Sequence, residues 1–296
     1  MYDEEIPYHR ISDDTTSNTD ARRSDWATAK GLQKVDNLST SRYLEDVEQG
    51  HIAGHYSSSQ AASLVRDYYR AKDARTVDPH EREADLVSVR IVELLEAGGF
   101  AFKPTLLSHI HGTLFTGLID KPYDFGWRDY NITKAERILA GETVQYAPWQ
   151  LIGDNLAYDF NTASPATLLR PPLTPGGLAA FVKFISNIWQ THAFVEGNTR
   201  TVAVFCILLL RSVGIAIDNE PFARHSLYFR DALVRANFSS IARGIEEDQT
   251  FLAKFFENLV CGSNHELRDR ELYCDELFKE KGMPLPSELF EDHERA

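Results

Sequence analysis

A chain of 296 residues with 43% hydrophobic and 25% charged residues has the make-up of a folded globular protein, which excludes a disordered or fibrous chain. Its formal charge of −13 excludes bulk attraction to nucleic acid, which draws on Lys and Arg neutralising phosphates, but leaves room for a local anion pocket. The longest apolar run, residues 202–210, falls short of the roughly 20 residues of a membrane-spanning helix, and no secretory signal is legible in the first thirty residues. The expectation is a cytoplasmic protein without membrane contact, delivery to another cell by a secretion system staying open. Cys206, Cys261 and Cys274 show no metal-ligand spacing and read as reduced thiols.

In chain order, residues 1–25 are rich in Ser, Thr, Asp and Asn and read as a mobile arm. Residues 26–75 form an N-terminal helical unit with short helical patterns near 39–48 and 57–69. Leu86, Val89, Val92 and Leu95 recur every third residue, which predicts a helix over 85–97, and another follows over 105–115. The texture then changes: residues 127–149 contain two short strand-like runs around an Ala-Gly-Glu break at 140–142 and predict a hairpin or flap. Helical spacing resumes over 178–190 through Phe181, Phe184, Ile185 and Ile188, and an apolar helix runs over 199–213. Further helices are expected over 223–238 and 248–259, with a polar, partly helical tail from 263 to 296. His51 and His55 lack a third ligand, and His109 and His111 do not share a helix face, so no zinc site is expected.

The densest chemistry lies at residues 192–200, His-Ala-Phe-Val-Glu-Gly-Asn-Thr-Arg. Gly197 permits a tight turn, and the amides of Gly197, Asn198 and Thr199 at a helix N-terminus form an anion-binding nest. Asn198 adds a side-chain donor and Arg200 a planar guanidinium suited to phosphate oxygens. Glu196 would be repulsive beside an anion unless a cation lay between, a place Mg²⁺ would fill. His192 can accept a proton near neutral pH. These groups leave phosphoryl transfer, hydrolysis and simple anion binding open.

The segment resembles the signature of the Fic family, His-x-Phe-x-(Asp or Glu)-Gly-Asn-(Gly or Lys)-Arg-x-x-Arg, at His192, Phe194, Glu196, Gly197, Asn198 and Arg200. The resemblance implies a mainly α, Fic-type helical bundle over residues 76–262 with a small β-hairpin flap beside the active-site loop. It implies a protein adenylyltransferase that moves AMP from ATP to a Ser, Thr or Tyr hydroxyl of a target protein. By the same resemblance, His192 is the base and Glu196 the Mg²⁺ ligand, with Gly197, Asn198, Thr199 and Arg200 on the phosphates. Thr143, Val144, Gln145 and Tyr146 belong to the flap that holds an extended target segment. Tyr228 and Asn237 are candidates for the nucleotide pocket, and the Ser41–Glu45 spacing matches an inhibitory motif, although Asp46 departs from it. Thr199 and Ala203 also depart from the signature. Ala203 stands where a second arginine is expected, so transfer of the γ-phosphate, or a catalytically weak nucleotide-binding module, is the alternative. The oligomeric state stays open, a homo-oligomer included.

Overall fold

The computed structural model describes residues 15–119, 126–169, 173–215, 217 and 220–286. The first helix, α1 (Thr15–Gln33), forms from a mostly polar sequence because Trp26, Ala29 and Leu32 fall three residues apart and are buried as one stripe. Residues 15–25, expected to be an arm, therefore belong to a helix, and residues 1–14 lie outside the described residues. Asp25 is buried there and pairs with Arg211. α2 (Arg42–Ile52) and α3 (Ser58–Ala71) each start on a serine, Ser41 and Ser57, whose hydroxyl accepts an amide of the first turn.

α4 (Pro79–Ala97) begins on the Asp78 cap with proline in its first turn and buries the three-residue repeat read from the sequence. It packs against α1 and α3 on one side and α5 (Pro104–Phe115) on the other. α6 (Ile152–Thr162) and the one-turn α7 (Pro165–Leu168) lean on α8 (Pro175–Thr191). α9 (Asn198–Ser212) is buried without a break from Asn198 to Leu210 and is surrounded by α4, α5 and α8. Each fully buried aliphatic side chain there is worth about 1.5–3 kcal/mol, so α9 is the anchor of the core.

The helix expected over 223–238 is divided at His225 into α10 (Glu220–Arg224) and α11 (Ser226–Arg235). The division lets α10 cross α1 closely: a Cβ on Gly31 would lie 2.4 Å from the Ala223 carbonyl oxygen, and Ser226 donates to the Gly31 carbonyl at 2.6 Å. α12 (Thr250–Cys261) closes against α8, α10 and α11. The tail then folds back rather than trailing off. α13 (Asp275–Glu280) buries Leu277 and Phe278, and the Cys274 amide donates to the Ile138 carbonyl at 2.9 Å. Residues 287–296 lie outside the described residues.

The expected hairpin over 127–149 is not one. Among the described residues the sole β pairing is the isolated bridge between Ser240 and Ile245. The Lys134 amide donates to the Thr143 hydroxyl at 3.2 Å instead of a facing carbonyl, and Arg128 takes the carbonyls of Tyr130 and Ala147, so no ladder forms. The run 130–148 is an irregular loop with a tight turn at Arg137–Leu139, and its Val144 and Tyr146 point inward. No described helix is long and apolar enough to cross a membrane.

Candidate active site

Residues 192–197 join α8 to α9 through two left-handed corners, His192 at φ +47° and Gly197 at φ +75°. Only the second is a glycine, and it has to be: a Cβ there would sit 2.3 Å from the Phe115 ring. A non-glycine residue is strained in this region, so His192 needs its surroundings to hold it. Arg128 does so. Its backbone amide donates to the Ala193 carbonyl at 2.8 Å, and its guanidinium donates to the carbonyls of His192 at 2.8 Å, Tyr130 at 2.7 Å, Thr191 at 3.4 Å and Ala147.

From below, His111 on α5 donates through Nε2 to the Glu196 carbonyl at 3.0 Å and stacks on Phe194 with ring centres 3.8 Å apart. Asn198 ties the loop to itself, accepting from the Phe194 amide at 3.0 Å and donating to the Phe194 carbonyl at 2.7 Å. Its side chain is thus committed to the loop and is not the free phosphate donor expected from the sequence. The Thr199 hydroxyl accepts from the Trp189 indole at 2.9 Å, pinning α9 to α8. What the first turn of α9 does offer is its amides, which have no partner within a helix.

These amides open into a cavity of about 360 Å³ lined by His192, Glu196, Gly197, Asn198 and Thr199. His192 is buried and stacks on Tyr146 at 3.9 Å. Its Nδ1 lies 3.3 Å from the Trp189 carbonyl, which can only accept, so Nδ1 carries the proton and Nε2 keeps a lone pair. Burial, with the nearby cations Lys134, Arg128 and Arg230, holds the imidazole well below its ordinary pKa, at about 3, and therefore neutral at pH 7. Glu196 is exposed at the rim, its carboxyl raised by partial burial and then by the neighbouring carboxylates Glu83 and Asp36.

Arg200 does not line the cavity. It is fully buried, 4.7 Å over the Phe115 ring, donating to Gln33 at 3.0 Å and Glu83 at 2.7 Å and paired with Asp36 at 2.9 Å. The phosphate grip expected of it is taken up by these partners. Ala203 is fully buried one turn further along, so its position has no opening for an arginine. Ser41 and Glu45 also lie elsewhere than expected. Ser41 is buried against Asp85, Glu45 is exposed on α2, and the acids on Arg200 are Asp36 and Glu83. Tyr228 is a core residue whose hydroxyl donates to the Phe251 carbonyl at 3.4 Å, and Asn237 bonds Ser186 and Leu233.

Other charges come to the cavity instead: Asp36, Lys134, Glu136 and Arg230 all line it. Arg230 is bound by Glu136 and Asp231, and Asp231 also accepts from Arg137 at 2.9 Å. Tyr146 donates to Glu136 at 3.3 Å, which links the ring stacked on His192 to this buried ion network. Lys134 makes no ion pair among the described residues. None of these carried a local motif. The one available signal was a buried-looking Arg-Asp pair, Arg230 and Asp231, inside an apolar helix. No family model, no curated protein and no solved structure matches the chain.

Proposed function

We propose that the chain is a protein nucleotidyltransferase of the Fic type, moving AMP from ATP to a Ser, Thr or Tyr hydroxyl of a target protein. One juxtaposition carries the reading. A neutral histidine, its Nδ1 proton committed to a carbonyl, shares a small cavity with the amide-bearing N-terminus of a long buried helix. In this reading Nε2 of His192 takes the proton of the target hydroxyl as that oxygen bonds to the α-phosphorus. The bond from the α-phosphorus to the bridging oxygen breaks, and pyrophosphate leaves.

The amides of Gly197, Asn198 and Thr199 hold phosphate oxygens, and Lys134 opposes their charge. A base held at so low a pKa is weak, and the approach of phosphate anions raises it towards its working range. Among the described residues no group of three His, Cys, Asp or Glu is placed to hold a metal. Mg²⁺ needs only one or two protein carboxylates when phosphates supply other ligands, and Glu196 at the rim fits that demand; the ion would neutralise charge on the transferred group. Residues 143–147 border His192 with Val144 and Tyr146 inward and Gln145 outward, an alternation suited to receiving an extended target backbone.

Incubation with α-labelled and γ-labelled ATP tests the reading. Label transferred to protein from the α position, and lost in His192→Ala, is expected. Label retained only from the γ position would make the chain a phosphotransferase, the alternative raised by Ala203 standing where a second arginine is expected. Binding of ATP with no transfer would leave a nucleotide-binding module.

A further inference from the structure

A second cavity, of about 750 Å³, is lined by the C-terminal part of α3, the first half of α4 and the residues that follow α5. Arg66, Arg70, Lys72, Arg82 and Arg90 all line it, and among the described residues no carboxylate does. That is a concentration of positive charge on a chain whose acids outnumber its Lys and Arg by 13. Tyr69 and Leu86 belong to its apolar wall.

The cations are aimed by neutral partners and hardly neutralised. Arg66 donates to the Ser63 hydroxyl at 2.9 Å, Arg82 to the Gly117 carbonyl at 3.3 Å and Arg90 to the Leu114 carbonyl at 2.7 Å. Lys72 sits 4.1 Å over the Tyr68 ring. Only Arg70 has an ion pair among the described residues, to Asp67 at 3.6 Å, and both of its members are exposed. Each guanidinium carries five N–H donors, so one bond to a carbonyl or hydroxyl leaves most of them for a ligand. Arg90 registers the uncompensated charge: burial, then Arg66 and Arg82, pull its pKa down to about 10.

We propose that this basin is a binding site for a small, multiply phosphorylated anion, one carrying two or more phosphate groups on a compact body. Five cations around one bounded cavity exceed what a single phosphate can engage, and the volume falls within the ~300–1,000 Å³ of small-molecule sites. A long polyanion is disfavoured because it would run beyond the basin across a chain of strong negative charge. The site shares no lining residue with the His192 cavity and does not rest on the function proposed for it.

Titration calorimetry of the full chain with sodium tripolyphosphate tests the assignment. Wild-type protein is expected to bind it, at least tenfold more tightly than orthophosphate, with affinity falling as salt is raised. Arg66→Ala/Arg82→Ala should weaken binding at least tenfold, whereas Lys183→Ala, at an exposed position outside both cavities, should leave it unchanged. If the first pair lowers the melting temperature, the exposed pair Arg70→Ala/Lys72→Ala supplies the same comparison. Unchanged affinity in the basin variants, or loss of binding in Lys183→Ala, would overturn the proposal. So would tighter binding of a single-stranded RNA oligonucleotide or of phosphatidylserine vesicles than of tripolyphosphate, since the ligand would then be a macromolecular or membrane polyanion.

Discussion

Replacing His111 by phenylalanine keeps a ring stacked on Phe194 but removes a titrating group from beneath the loop of residues 192–197. In the folded chain, burial holds the His111 imidazole at about pKa 4, against about 6.5 in an unfolded chain. The unfolded chain therefore takes up the proton first as pH falls. The stability at stake is fully present above about pH 6.5 and is lost progressively down to about pH 4. Linkage puts the whole window at about 3 kcal/mol, of which about 2 kcal/mol is gone by pH 5. Burial raises the carboxyls of Asp25, Asp85 and Glu136, and these act in the opposite direction, but they are common to both proteins and cancel in the comparison. Urea unfolding at pH 8 and pH 5 reads the difference. His111→Phe, although about 1 kcal/mol less stable at pH 8 for want of its bond to the Glu196 carbonyl, should lose about 2 kcal/mol less than wild type on acidification. Parallel losses in the two proteins would refute the reasoning and show that His111 titrates as though exposed.

Gly197→Ala combines a left-handed backbone with a Cβ 2.3 Å from Phe115 and should cost about 2–4 kcal/mol, read as a lowered melting temperature, with partial recovery when Phe115→Leu is added. Arg128→Ala should cost about 3 kcal/mol by denaturant unfolding, and Arg128→Lys should recover little, because one ammonium cannot reach carbonyls on both sides of the loop. Ala203→Arg should destabilise by more than about 3 kcal/mol by burying an unpaired charge, rather than raise transfer activity. Asp36→Asn removes a carboxylate from the His192 cavity and should tighten ATP binding by about fivefold in calorimetry.

Chemistry concentrated in consecutive residues was readable without a fold. Gly197 as a turn, and His192 and Glu196 at one pocket, follow from a nine-residue segment, although Arg128, His111 and Phe115 hold that segment from outside. The apolar helices were equally plain, because α4 repeats apolar residues at helical spacing and α9 carries the longest apolar run of the chain. Polarity hid α1, whose narrow stripe of Trp26, Ala29 and Leu32 is diluted by charged neighbours. On α11, Tyr228 and Arg230 are two residues apart and so point about 200° apart. The aromatic residue drew attention, but the arginine is the one at the cavity. The strand-like run 143–146 kept its alternation of buried and exposed residues and lost its ladder to Thr143 and Arg128.

By itself the sequence determined the helices α4, α5, α8, α9 and α12, the glycine corner at Gly197, and the run of His192, Glu196 and Asn198 between α8 and α9, since local spacing and backbone freedom decide those. The direction of Arg200 was decided by tertiary structure alone. Its acceptors include Gln33, 167 residues away in the chain, and Glu83, 117 away, brought to it by the packing of α1 on α4 and of α4 on α9. Lys134, Arg230 and Asp36 likewise reach the cavity from three distant segments. Charge acts through space rather than along the chain, so the electrostatics of the pocket exist only once those segments are packed together.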